Sequence, residues 1–310
     1  MCSLEVKFKM ASELCTDTLG HLSSLIQFHR TFMLAYCILL LLFSVVAVLG
    51  NVLVIHALWK VSSIPSNIKK LFLSLAFSDL AVGMLPQLML GVNIAVMLSQ
   101  TSNGDRNLAS FCPVIVTACY FFIFLLCSAS FLTIGAIAVD RLLAILLHLR
   151  YRELVTSKRV NMALIMVWLT SGFAASISIL LTVGNMVIAT VQFILLLLTT
   201  VAYVRIFNAV KYHNNQIQSQ LQLQSVQVVD LLRQKKSAIN ALVVYAVFLV
   251  CYLPIFVVAI LLLTYGERIS MLVANYISVF FVFLNSSLNP FVYYSRYREI
   301  RIIMRNTIKK

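Results

Sequence analysis

The stretch that decides the fold is NMALIMVWLTSGFAASISILLTVGNMVIATVQFILLLLTTVAYV, residues 161–204, which contains no Asp, Glu, Lys or Arg. At 1.5 Å per residue, a single helix of this length would measure roughly 66 Å, about twice the thickness of the hydrocarbon core of a bilayer. Gly184–Asn185 is the turn signal inside the stretch. We therefore expect two membrane-spanning helices here, joined by a very short loop.

The composition of the whole chain places it in a membrane. Of its 310 residues, 61% are hydrophobic and 11% are charged, whereas a soluble domain carries about a quarter charged residues. Lipid offers the backbone no hydrogen bonds, so a spanning chain forms helices or a closed barrel. The long uninterrupted apolar runs differ from the alternating segments of about ten residues that build a barrel. The sequence therefore predicts an all-α fold.

Seven segments are apolar and long enough to cross the bilayer. They cover residues 31–59, 70–97, 110–144, 161–181, 187–208, 238–264 and 272–294. The predicted organisation is an extracellular N-terminal tail (1–30), a seven-transmembrane helix bundle (31–295) and a cytoplasmic C-terminal segment (296–310). The Gln-rich connection at 213–227 is either disordered or a helical extension of the neighbouring spans.

The distribution of basic residues predicts the orientation, because Lys and Arg concentrate in cytoplasmic loops. If the N-terminus is outside, 19 of the 24 Lys and Arg residues lie on the cytoplasmic side. We therefore expect a multi-pass protein of the plasma membrane with its C-terminus in the cytoplasm. The net charge of +14 then suits anionic membrane lipid, and it gives no argument for nucleic acid.

Asp79 is the one acid near the middle of a span, and a carboxylate at that depth needs partners. Candidates are Asn51, Ser130 and the neighbours Asn285, Ser286 and Asn289. Carboxylate, amide and hydroxyl oxygens suit a hard cation such as Na⁺ or a cluster of water molecules. From spacing alone, a plain interhelical hydrogen-bond network is an equal alternative.

Several motifs in chain order resemble those of one family. They are GNVLV (50–54), LSLAFSDL (73–80), SASFLTIGAIAVDR (128–141), Trp168, FLVCYLP (248–254), NSSLNPFVYY (285–294) and SRYREIRIIMRN (295–306). Together they resemble the rhodopsin-like (class A) G-protein-coupled receptors over about residues 31–308. The resemblance implies seven transmembrane helices followed by a short amphipathic eighth helix, with a heterotrimeric G protein as cytoplasmic partner.

The resemblance also implies roles for individual residues. Asp79, Ser130, Asn285, Ser286 and Asn289 match the family's sodium pocket, which favours the inactive state. Arg141, paired with Asp140, matches the residue that turns to meet the G protein. Tyr203 and Tyr293 match tyrosines that hold the active arrangement. Pro254, Asn289 and Pro290 complete the activation motifs, in which prolines interrupt the helices; Pro86 is a third such proline.

The chain departs from the family pattern at several activation positions. Leu142 follows the Asp140–Arg141 pair where the family usually has Tyr, and Tyr252 replaces the usual Trp of the sixth span. The fifth span contains no proline. Gln234 stands where many members keep an acid to pair with Arg141. That departure predicts a hydrogen bond at best and appreciable basal activity.

The cysteines depart further from the family. Members usually tie the outer end of the third span to the loop between the fourth and fifth spans, and that loop has no cysteine here. Cys2, Cys15 and Cys112 remain on the outer side, so a Cys15–Cys112 disulfide and free thiols are both open. With its missing loop cysteine, its very short second outer loop and no proline in the fifth span, the chain resembles the branch of melanocortin and cannabinoid receptors. The acids that melanocortin receptors use are absent, since Met89, Val116 and Tyr120 replace them.

The family alignment also selects candidate ligand-pocket residues, which are Tyr120, Ile123, Phe124, Cys127, Tyr252, Phe256, Val279 and Phe283. Ile123 replaces the Asp of amine receptors, Phe283 the Lys of opsins, and Ala259 the Asn of adenosine receptors. An unpaired charge would be costly to bury among these side chains. We therefore expect a small apolar or weakly polar ligand, such as a lipid or an odorant. A peptide held by the short outer loops is the alternative.

Other functional classes fit less well. The five His residues are scattered without metal-site or nucleophile spacing, so we expect no enzymatic activity. We also expect no cofactor other than bound Na⁺. A seven-helix transporter would show internal repeats or paired broken helices, which we do not find in the sequence. Membrane lipid is an expected partner.

Overall fold

The computed structural model describes the backbone of residues 2–100, 112–147, 150–181, 184–220 and 225–309. Within these ranges, the side chains of residues 2–14, 100, 112–113, 152, 185, 212–220 and 225–235 are not described. All regular structure in the described ranges is helical. The helices are α1 (Cys2–Phe28), α2 (Arg30–Lys60), α3 (Ser66–Val82), α4 (Leu88–Gln100), α5 (Cys112–Leu147), α6 (Tyr151–Leu154), α7 (Ser157–Leu180), α8 (Gly184–Gln220), α9 (Ser225–Tyr265), α10 (Ile269–Arg296) and α11 (Arg298–Ile308).

The seven predicted spans are confirmed. They correspond to α2, α3 continued by α4, α5, α7, α8, α9 and α10, each long and apolar enough to cross a membrane. The long apolar stretch divides close to the predicted turn: α7 ends at Leu180 and α8 begins at Gly184, so Gly184–Asn185 are the first residues of α8 and the division lies just before them. The described backbone of the Gln-rich connection continues α8 and α9, in agreement with the helical alternative.

A π-helical turn, Gly83–Gln87, joins α3 to α4 around Pro86. Proline lacks the amide hydrogen that the helix would use, so one backbone bond is lost at this point. The Ser44 hydroxyl of α2 donates to the Gly83 carbonyl oxygen at 2.8 Å, and the Gln87 side-chain amide donates to Leu40 O at 3.1 Å. Side chains of two helices thus stabilise the wider turn.

The contact between α2 and α10 is unusually close at Gly50. A Cβ atom built on Gly50 would lie 2.7 Å from Cγ of Pro290, so no larger residue fits without a shift. Beside it, the Asn51 amide donates to Ser286 O at 2.9 Å, and the Ser287 hydroxyl donates to Phe43 O at 2.9 Å. Small residues and polar side chains therefore hold these two helices together, as is common in membranes.

At one end of the bundle, α11 leaves the last span and packs beneath α2, with Ile300 and Met304 buried. The Glu299 carboxylate accepts hydrogen bonds from the backbone nitrogens of Ser62 and Ser63 at 3.0 and 3.1 Å. These bonds, with those of the two serine hydroxyls, hold the pKa of Glu299 below its usual range. The predicted eighth helix is thus confirmed, and we call this end of the bundle the α11 end.

The opposite end carries α1, and we call it the α1 end. The predicted tail of residues 1–30 is helical from Cys2 to Phe28, and α1 packs against α5, α10, α2 and α4. Cys15 is disulfide-bonded. The side chain of its predicted partner Cys112 lies outside the described residues, so the Cys15–Cys112 pairing stays a prediction.

Substitution of Gly50 by alanine should destabilise the bundle, because the added methyl group overlaps Pro290. Overpacking of this kind costs roughly 1–3 kcal/mol. The matched control is Gly172→Ala in α7, where nothing lies within 4 Å of the new Cβ and alanine favours the helix. Thermal unfolding of the detergent-solubilised protein should show a lower midpoint for Gly50→Ala alone. Equal midpoints for both variants would contradict the close contact.

Candidate functional site

The Asp140–Arg141 pair lies near the α11 end of α5 and is almost completely buried. The two residues are 5% and 4% exposed. Arg141 donates from Nε to Oδ2 of Asp140 at 2.9 Å, and its Nη2 contacts the same oxygen. A buried guanidinium needs such a partner, since an unpaired charge at this depth would be strongly unfavourable. The pair that interrupts the apolar run is therefore an ion pair closed within one helix.

Tyr151 of the short helix α6 supplies the second contact to Asp140. Its hydroxyl donates to Oδ1 at 2.8 Å. Burial raises the pKa of Tyr151, and the negative charge of Asp140 raises it further. Tyr151 therefore remains protonated at physiological pH and acts as a hydrogen-bond donor.

Arg141 also reaches the neighbouring helix α9. Its Nη1 donates to the Ser237 hydroxyl at 2.8 Å. The side chain of Gln234, the expected partner on this helix, lies outside the described residues. Ser237 is three residues further along the same helix, so both positions share one face. The contact between α5 and α9 thus uses a neutral hydroxyl group.

A second polar contact at the α11 end joins α9 to α10. The Arg296 guanidinium donates from Nε to the Asn240 side-chain oxygen at 3.1 Å, and Asn240 is buried. Arg141 and Arg296 thus each hold α9 by one hydrogen bond. Any outward movement of the α11 end of α9 breaks both bonds.

The two tyrosines expected near Arg141 are both fully buried in the core of the bundle. Tyr203 stacks on Tyr245 of α9 with ring centroids 4.3 Å apart, and Tyr293 meets Phe72 edge-on at 5.2 Å. The Tyr293 hydroxyl has no hydrogen-bond partner among the described residues. Aromatic contacts, and no hydrogen bond to Arg141, therefore hold these rings in the observed conformation.

Asp79 lies at the centre of a buried polar cluster inside the bundle. The Asn289 amide donates to Oδ2 of Asp79 at 2.6 Å, and Ser286 lies beside the same carboxylate. Ser130 contributes through Ser78, whose hydroxyl is 3.1 Å from that of Ser130. All five residues are buried. Helices α3, α5 and α10 thus bring the predicted set into one region.

Several polar atoms of this cluster have no partner in the described part of the chain. They are Oδ1 of Asp79, Oδ1 of Asn289, and both amide atoms of Asn285. Leaving such a buried group unsatisfied costs about 1–3 kcal/mol. The free oxygens of Asp79, Asn285 and Asn289 are hard ligands of the type that Na⁺ or ordered water accepts. The described residues include no group of His, Cys, Asp and Glu with the composition of a transition-metal site.

An aromatic layer lies between the Asp79 cluster and the α1 end. Tyr252 of α9 stacks on Phe248 with centroids 4.2 Å apart, and both meet Phe131 of α5 edge-on at 4.7 Å. Phe256 extends the layer to Phe193 of α8 at 5.4 Å. Pro254, inside α9, follows the stacked pair. The predicted aromatic position Tyr252 is therefore packed between two helices.

Seven of the eight candidate ligand-pocket residues are divided among three apolar clusters. Cys127, Tyr252 and Phe256 belong to the large core cluster that contains the aromatic layer. Ile123, Val279 and Phe283 belong to a second apolar cluster at the α1 end. Tyr120 packs in a small group with Cys15 and Val116, and Phe124 is partly exposed. The structure thus brings these side chains together in two sets of three, and it does not gather all eight into one cluster.

Sequence reasoning missed several partners of the motif residues. Tyr151, Ser237, Asn240, Tyr245 and Arg296 all contact motif residues or each other. The helical period would have placed Ser237 on the face of Gln234. The position of Tyr151 depends on the connection between α5 and α6, for which the sequence gives no spacing rule.

Comparisons with known proteins point in one direction. A model of the family described as "7 transmembrane receptor (rhodopsin family)" matches residues 50–186 and 181–293. The adenosine receptor A2a of Canis lupus familiaris is 28% identical over 304 residues, which covers 86% of this chain and 70% of that receptor. The Homo sapiens receptor of the same name is also 28% identical, over 307 residues with the same shares. Melanocortin receptor 4 of Danio rerio is 25% identical over 265 residues, covering 83% of this chain and 78% of that receptor.

Proposed function

Since the chain belongs to the rhodopsin family of seven-transmembrane receptors and is a G-protein-coupled receptor, we propose that it activates a heterotrimeric G protein through the α11 ends of α5, α8 and α9. The observation that carries the proposal is the buried Asp140–Arg141 pair with its bond to Ser237 on α9. A receptor at rest needs its Arg held in this way. The family is one of receptors, and we assign the chain no catalytic activity.

The contacts define how the switch works. In the resting arrangement Asp140 holds Arg141, while Ser237 and Asn240 connect α9 to α5 and α10. When the α11 end of α9 moves outward, the two hydrogen bonds from Arg141 and Arg296 are lost. Arg141 then turns toward the opened cavity, where a segment of the G protein binds. Tyr203 and Tyr293, which have hydroxyl groups at the same end, stabilise the open arrangement.

The α11 end faces the cytoplasm in this proposal, and the protein is in the plasma membrane. The support is the charge distribution, because 19 of the 24 Lys and Arg residues fall on the α11 side. Basic residues of α11 itself, including Arg298, Arg301 and Arg305, lie where anionic lipid headgroups of the inner leaflet would contact them. The α1 end is then extracellular.

The Asp79 cluster is the proposed sodium site. Asp79, Ser130, Asn285, Ser286 and Asn289 would hold the ion, and the unpartnered oxygens of Asp79, Asn285 and Asn289 support this role. The ion would supply a positive charge that ties α3 and α10 together in the resting arrangement. A plain hydrogen-bond network would leave fewer of these atoms without a partner.

The ligand is proposed to be small and apolar or weakly polar. The candidate residues lie in apolar and aromatic clusters, and a charged ligand group would find no counter-ion among them. The named relatives are adenosine receptors and a melanocortin receptor, but Ala259 replaces the Asn of the first and Tyr120 an acid of the second. A peptide ligand is the alternative within the same family.

Substitution of Asp140 by asparagine should raise ligand-independent G protein activation several-fold. Charge-assisted hydrogen bonds contribute roughly 1.5–3 kcal/mol, and their loss shifts the equilibrium toward the open arrangement. Arg141→Ala should abolish the signal, and Val139→Ala, which faces lipid, should leave it unchanged. Nucleotide exchange on purified G proteins, at equal receptor content in membranes, measures all three. Unchanged or lower activity of Asp140→Asn would contradict the switch.

Sodium should lower the basal signal if the Asp79 cluster binds it. We expect less nucleotide exchange in sodium chloride than in an equal concentration of choline chloride. Asp79→Asn should remove the difference, whereas Phe77→Ala, on the exposed face of the same helix, should keep it. An equal salt response in Asp79→Asn and the parent chain would rule out this site.

A screen of agonists through the same readout tests the ligand class. Neutral apolar or weakly polar compounds should account for the active molecules, because the pocket candidates carry no charge. A primary amine that activates the receptor at nanomolar concentration would overturn this assignment.

A further inference from the structure

We propose that residues 15–28 of α1 act as a ligand that belongs to this chain, bound in the apolar cluster at the α1 end that contains Phe283. This tethered helix stabilises the resting receptor. The inference rests on the proposed function, since its effect is read as a change in G protein activation. The family motifs predict neither this bound helix nor its effect on basal activity.

One face of α1 is buried in the bundle. Leu22, Leu25 and Ile26 are 3%, 0% and 4% exposed, although they lie in a segment that precedes the first span. Their spacing of three and four residues places them on a single side of the helix. Ser23 and Gln27 are exposed on the other side. The segment therefore has the form of an amphipathic helix bound in a groove.

The buried face of α1 belongs to the same apolar cluster as three of the candidate ligand-pocket residues. Leu22, Leu25 and Ile26 form one continuous apolar cluster with Phe283, against which Ile123 and Val279 pack. Tyr120, another of the candidates, packs in the group that contains Cys15. Helix α1 thus shares its apolar surroundings with four of the eight candidates.

Polar contacts attach α1 to α5 and to the turn between α9 and α10. Thr18 shares a side-chain hydrogen bond with Tyr120 of α5. Nε2 of His21 lies 3.1 Å from Oε2 of Glu267, in the turn between α9 and α10. That turn depends on Gly266, whose φ of 72° favours glycine. The disulfide at Cys15 is a further attachment.

The covalent connection makes this occupant hard to displace. Only His29 separates α1 from α2, and a short tether gives an effective concentration on the order of millimolar. A soluble ligand that uses the same side chains must therefore compete with a helix that is always present.

The direction in which α1 changes basal activity follows from the thermodynamic linkage between α1 binding and the receptor conformation. A bound group favours the conformation in which it binds better. In this structure α1 is bound while the Asp140–Arg141 pair is closed and Arg141 holds Ser237. Because α1 contacts α5, α10 and the turn after α9 together, it opposes any rearrangement that separates them. Loosening α1 therefore raises basal activity.

Two measurements on the full chain in cell membranes test the proposal. In the first, Leu22→Ala/Leu25→Ala should raise basal G protein activation at least threefold at equal surface expression, and the exposed control Gln27→Ala should not. In the second, a membrane-impermeant maleimide on intact cells should label Leu25→Cys at least tenfold more slowly than Gln27→Cys. The parent chain sets the background from native cysteines.

The outcomes separate this inference from the proposed function. Equal labelling of Leu25→Cys and Gln27→Cys would show that α1 is not docked. Protected labelling with unchanged or lower basal activity in Leu22→Ala/Leu25→Ala would overturn its inhibitory role. If the double variant does not reach the surface, the basal activity of Leu25→Cys decides the sign in its place. If Asp140→Asn also fails to signal with any G protein, the proposed function fails, while labelling still decides whether α1 is docked.

Discussion

The constraint on which this structure depends is the absence of water from the bilayer interior. Each polar group inside a span must find its partner in the protein, or remain unsatisfied at a free-energy cost of about 1–3 kcal/mol. Polar partners of this kind are found at Asp79, at Arg141 and at the π-helical turn around Pro86. At each of these places one partner comes from another helix, so the same bonds that satisfy polar groups also determine how the helices pack.

Helix α5 connects three regions of the bundle. The α1-end cluster, the aromatic layer of Phe131, Phe248 and Tyr252, and the Asp140–Arg141 pair all include residues of α5. Helix α9 contributes to the last two, through stacked rings and through Ser237. A shift of α5 relative to α9 therefore changes ring packing and hydrogen bonding together. Such a shift would couple the two ends of the bundle.

Much of this arrangement could be predicted from the sequence. Apolar length located all seven spans, and Gly184–Asn185 located the division of the longest stretch, because these signals are local. The Asp79 cluster could be anticipated from residue types, since a buried carboxylate requires polar neighbours. The contacts of Tyr151 and Ser237 could not, because they depend on helix rotation and on a turn. The docking of α1 was also missed, since a segment with several polar residues reveals its buried face only against its neighbours.

The neutral contact between Arg141 and Ser237 has an implication for how the resting receptor responds to its surroundings. An ion pair between α5 and α9 would weaken with ionic strength and with protonation of its acid. A hydroxyl group has no charge to screen and no proton to gain in the physiological range. The bond between Arg141 and Ser237 is therefore nearly insensitive to ionic strength and to pH in the physiological range.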